Sequence, residues 1–81
     1  MSLLDAFGVV SLPPLIRHSA ATHLGRLLVA ADVHALELAK ERAHGFVDGV
    51  EAARALIPAT IEELYIAVEA AAEARRRELT R

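Results

Sequence analysis

The sequence predicts an all-α fold, on three observations. Alanine and leucine, both strong helix formers, supply most of an apolar fraction of 54%, while aromatics are only 4% and tryptophan is absent. Apolar residues recur every three or four positions over long stretches, the period of one helical face. No stretch alternates apolar and polar residues for long enough to make a half-buried strand.

The N-terminal segment, 1–12, is apolar and opens with one or two helical turns over about 2–7, where Leu3, Leu4 and Phe7 share a face. Gly8 is placed to take the left-handed position that closes such a helix. Leu3, Leu4, Phe7, Val9, Val10 and Leu12 either cap this chain's own bundle or dock as a short anchor on another protein. Ser11 is a candidate N-cap, and Pro13-Pro14 suits a first helical turn, where the missing N–H costs nothing.

A long helix is predicted from about 13 to about 44, stopped by Gly45. Its main stripe is Ala20, Leu24, Leu27, Leu28, Ala31, Ala35, Leu38 and Ala39, and Ala31, Ala35, Ala39 and Ala43 make a ladder that lets another helix approach closely. Val29, Val33 and Leu36 form a smaller apolar strip on the opposite side. A break near Gly25 is the alternative, and it gives a compact monomeric bundle.

Asp48 and Glu51 have the spacing of a capping box, which predicts a short helix over about 49–57 ended by Pro58. Thr60 and Glu63 repeat that spacing before a last helix over about 61–79. Ile61, Leu64, Tyr65, Val68, Ala72 and Leu79 line its apolar stripe. Glu73 precedes Arg77 by one turn, the favourable order for a helical ion pair, and Arg75, Arg76, Arg77 and Arg81 sit at the negative end of the helix dipole.

With 81 residues the chain is one domain, near the size at which a single core needs help. Disulfides are excluded because there is no cysteine, which leaves a metal or a partner. A rod of the predicted length is ~48 Å long, against a radius of gyration of ~12 Å for a compact domain this small. The remaining helices cannot cover both of its apolar strips, so a homo-oligomer or a place in a larger protein assembly is expected. The expected interface is Val29, Ala31, Val33, Ala35, Leu36, Leu38 and Ala39.

The net charge of −2, with both signs mixed, gives no general attraction to nucleic acid or acidic lipid. No stretch is long and uncharged enough to span a bilayer, and no basic leader opens the chain, so a cytoplasmic location is expected.

Polar chemistry concentrates on one flank of the predicted rod, where His34, Glu37, Glu41 and His44 follow each other at helical spacing. Glu41-x-x-His44 is the spacing used by di-iron carboxylate bundles, and a dimer would supply it twice. Glu37, Glu41 and His44 are thus an alternative site for iron, manganese or zinc, with Glu62, Glu63 or Glu69 to complete it. The other reading is a solvated flank whose carboxylates pair with Arg26, Lys40 and Arg42.

Arg17 to Leu24, RHSAATHL, resembles the second conserved box of tyrosine recombinases. The resemblance implies that Arg17 contacts a scissile phosphate and that His18 assists proton transfer. It covers about a tenth of the chain and departs from the family elsewhere. Only 16 residues precede Arg17, the expected Gly-His pair reads His44-Gly45, and the one tyrosine, Tyr65, lies on an apolar stripe. A helix-turn-helix outline around Pro58 would open its second helix with Glu62 and Glu63, which repel DNA. No Gly-x-Ser-x-Gly elbow or Gly-rich phosphate loop is present. The expected function is a non-enzymatic helical interaction or assembly protein, such as a small subunit, adaptor or regulatory partner. The alternatives are a metal-binding, ferritin-like helical dimer and a small DNA-binding regulator.

Overall fold

Four helices make up the regular structure of the computed structural model, which describes residues 3–9 and 11–81. They are α1 (Leu3–Ala6), α2 (Pro14–Leu28), α3 (Val33–Ala52) and α4 (Pro58–Leu79). The expected participation of Ser2 in the first helix and of Val10 in the N-terminal cap lies outside the described residues. All-α is correct; the layout differs in three places, each with a local cause.

The first difference is the rod. The helix expected over 13–44 breaks at 29–32 and becomes α2 and α3. Asp32 is the cause: its backbone is extended (φ −153°, ψ 176°) and its carboxylate accepts from the Ala35 N–H at 2.7 Å. That bond satisfies an otherwise orphaned donor of α3's first turn. On the other side of the break, the Ala30 carbonyl accepts from Arg75 Nε of α4 at 2.9 Å. The break falls four residues after Gly25, which stays helical.

The second difference is Gly45, which sits inside α3 and does not stop it. The turns around it place Ala43, Val47 and Val50 in the core, so packing overrides glycine's poor helix propensity. The helix ends instead at Arg54, in the left-handed region at φ 54°. There Arg54 N–H donates to Glu51 and Ala55 N–H to Val50, the paired bonds of a Schellman close. No separate short helix exists over 49–57.

Third, Pro58 opens α4 as its first residue, and the helix begins three residues before the expected start at Ile61. Thr60 lies in the first turn and is not the cap; Ile57 is, without a side-chain bond. The start of α2 is similar, with Pro13 as cap in place of Ser11. Gly8 takes the left-handed position as expected (φ 82°), with Gly8 N–H donating to Asp5 and Val9 N–H to Leu4.

α4 packs against both α2 and α3, which also pack on each other, and α1 lies on α2. Leu4, Val9, Leu24, Leu27, Leu36, Val47 and Leu64 are the large side chains fully buried at the centre, so the N-terminal segment caps this chain's own bundle. The described residues bury no charged or polar side chain. The radius of gyration is 12.2 Å, that of a compact single body. With no over-long rod to cover, the bundle closes its own core, and only the surface it leaves exposed can favour association.

Two substitutions test the helix ends. Asp32→Ala should lose about 1 kcal/mol, a fall in Tm of roughly 4–8 °C for a domain this small, while Asp32→Asn keeps most of the stability. Arg54→Gly should gain about 0.5–1 kcal/mol, because glycine occupies the left-handed region without strain. Thermal unfolding followed by circular dichroism reads both.

Candidate functional site

Turning α3 back onto α2 leaves an open groove of about 310 Å³ at the reversal, lined by Arg26, Val29, Ala30, Ala35, Leu38, Ala39 and Arg42. Its floor and walls are apolar. Val29, the cap that follows α2, is 74% exposed; Leu38, one turn and a half into α3, is 42% exposed. A bundle this small hides most of its large apolar side chains, so two left in water on one concave surface stand out. Arg26 closes one side from the last turn of α2 and Arg42 the other from α3. Among the described residues neither arginine has a carboxylate within ion-pair distance.

Four of the expected interface residues, Val29, Ala35, Leu38 and Ala39, line this groove. Ala31 and Val33 are exposed beside the break but do not line it. Leu36 is corrected: it is fully buried and belongs to the core, because the reversal turns its face inward. Sequence periodicity missed the two arginines, since a charge within an apolar stripe reads as an interruption of it.

The polar flank of α3 meets α4. Glu37 accepts from Arg76, and Tyr65 donates its hydroxyl to Asp48. Glu69 receives both Lys40 at 3.2 Å and His44 at 2.8 Å. Burial pushes the Glu69 carboxyl up, but the hydrogen bonds and charges of Lys40 and His44 outweigh it, and its pKa lies below the ordinary value. The Asp48 hydrogen bond, with smaller effects of burial and of the Asp48 and Glu51 charges, pushes Tyr65 up to about 12.

These contacts separate the alternative metal ligands. Glu37 is held by Arg76 and His44 by Glu69, while Glu41 stays exposed. Among the described residues no three His, Cys, Asp or Glu side chains gather as a metal site. The box that resembles tyrosine recombinases lies on α2, where its Ala20 and Leu24 are core residues. His18 is exposed and its carbonyl accepts the Thr22 hydroxyl; Arg17 is half-buried. A tyrosine whose pKa is raised by a carboxylate is the reverse of an activated nucleophile.

Three of the four C-terminal arginines are also engaged within the chain. Arg75 holds the Ala30 carbonyl and lies 3.6 Å from Glu78, Arg76 pairs with Glu37, and Arg77 lies 3.4 Å from Glu73 as the one-turn spacing predicts. Inside the bundle, His23 stacks on Phe46 with ring centroids 4.9 Å apart, beside an enclosed space of only about 10 Å³. That is the room of one water at most. No described helix is long and apolar enough to cross a membrane.

No protein-family model, curated protein or solved structure matches this chain.

The His23 environment yields a pH prediction. Burial, and secondarily the Arg26 charge, lower its pKa below 6.5. On acidification the unfolded chain takes up this proton first, so stability present above pH 6.5 falls as the pH drops toward the lowered folded value. His23→Phe keeps a ring on Phe46 and should remove that part of the acid-side decline. Tm measured against pH for the two proteins checks it, and the Glu69 contribution, which is lost only below pH 4.5, falls in a separate window.

Proposed function

We propose that this chain is a non-enzymatic interaction or assembly protein whose contact surface is the groove at the α2–α3 reversal. The observation that carries this reading is the exposure of Val29 and Leu38 in a concave apolar surface between two arginines that make no ion pair among the described residues. Covering either side chain contributes about 1.5–3 kcal/mol, and the arginines give such a contact orientation and salt dependence. The metal-binding alternative has no donors gathered among the described residues to support it, and the DNA-binding alternative finds Arg75, Arg76 and Arg77 bonded within the chain. The homo-oligomer and the hetero-assembly both remain forms of this reading.

Ala35→Glu separates contact from folding. Position 35 is the third residue of α3, where glutamate with Asp32 as cap completes a capping box. Its carboxylate is also favoured by the helix dipole. The variant should therefore keep or slightly raise Tm while placing a charge in the groove.

The test uses a photo-reactive side chain at Leu38 in living cells, with one at Leu15 as control, since Leu15 is 85% exposed and outside the groove. A discrete adduct from position 38, absent from position 15 and abolished by Ala35→Glu, is the expected result. An adduct indifferent to Ala35→Glu, or none at all, contradicts the reading.

A further inference from the structure

We infer that the groove receives the outer face of α4 from a second copy of the chain, with Ile66 inserted between Val29 and Leu38 and with Glu62 and Glu63 meeting Arg26 and Arg42; this rests on the interaction reading above. Ile66 is 59% exposed, a large apolar side chain at the middle of a helix face that is otherwise polar or small. Glu62 and Glu63 lie one turn before it, and the exposed Ala59 and Ala70 flank it on the same side. Among the described residues Glu62 and Glu63 make no ion pair, and neither do the two groove arginines. The chain thus carries an apolar concavity with two unpaired cations and an apolar knob with two unpaired anions.

The two surfaces cannot meet within one molecule. α2 and α3 build the groove, while α4 turns Ile61, Leu64, Ala67, Val68, Ala71 and Ala72 toward them, so its Ile66 face points away. Groove against groove would bring arginines together, and like charges repel. Of the other exposed knobs outside the groove, Leu15 has no carboxylate within four residues along α2 to meet the arginines, and Ile57 shares a pocket with Arg54 and would add a third cation. The complementary pair is groove to α4. Because the two patches differ and face away from each other, one pair of copies cannot make both contacts at once; the contact is heterologous, and copies add head to tail into a ring or a filament instead of stopping at a two-fold dimer.

Sedimentation and light scattering of the purified full chain test this from micromolar to millimolar protein. The expected mass rises with concentration to more than twofold the 8.7 kDa of one chain, and raised salt reverses the rise. Ala35→Glu blocks the groove and Ile66→Glu blocks the knob, so each variant alone should stay at 8.7 kDa with an unchanged melting curve. Mixed, they retain one good surface each and should form a one-to-one pair of about twofold that mass, and no larger species. Arg42→Glu should weaken association, and adding Glu63→Arg to the same chain should restore it.

A wild-type chain that stays monomeric to millimolar concentration overturns the inference, as does a mixture of the two blocked variants that fails to pair. If such a monomeric chain still gives the Leu38 adduct in cells, with a different protein, the interaction reading survives and only the second copy is excluded. A monomer without any adduct removes both.

Discussion

The rest of the molecule depends on how the chain reverses between Leu28 and Val33. A helix that stops in a bundle leaves unsatisfied carbonyls behind it and unsatisfied N–H groups ahead of its successor. Asp32 supplies an acceptor to the new helix, and Arg75 reaches from α4 to a carbonyl of the old one. With both ends tended, α3 can lie back on α2, and Leu24, Leu27 and Leu36 share one core with Leu64. The same reversal exposes Val29 and opens the groove beside it. Fold and candidate site have a common origin in a bend a few residues long.

Several of the charged residues that suggest chemistry along the sequence, Glu37, His44 and Glu69 among them, are engaged in holding helices together. Glu37, Lys40, His44 and Asp48 run along α3 at helical spacing, and each meets a group of α4. These are solvent-exposed pairs, so each adds little to stability; in number they set the relative register of the two helices. The proposed binding surfaces lie where charges make no ion pair among the described residues: Arg26 and Arg42 around the groove, Glu62 and Glu63 beside Ile66. On that division the proposed head-to-tail contact uses what the fold leaves over.

Much of the architecture is legible in the sequence. The inward stripe of α4, the left-handed glycine after α1 and the Glu73–Arg77 pair follow from periodicity and local stereochemistry. The break at 29–32 is not, because the apolar period runs through it without a change of phase. Asp32 as a cap has no glutamate three residues later to mark it. Gly45 and Pro58 mislead for a related reason: each has two local meanings. Glycine can end a helix or sit harmlessly on its exposed side, and proline can follow a helix or begin one. Tertiary packing chooses between them, and a single sequence does not display it. The groove is half legible: its apolar members share a helical stripe, whereas Arg26 and Arg42 join it only once α2 and α3 are side by side.

The contact between the His23 and Phe46 rings is the most direct measure of the reversal. Along one continuous helix these rings would lie ~35 Å apart; in the folded-back bundle their centroids are 4.9 Å apart. An NMR experiment on a mixture of isotope-labelled and unlabelled chains distinguishes contacts within one molecule from contacts between two. A strong ring-to-ring Overhauser effect within a single chain is the predicted result. Its absence, or its appearance only between chains, would mean that the long rod exists after all and that another molecule closes the core.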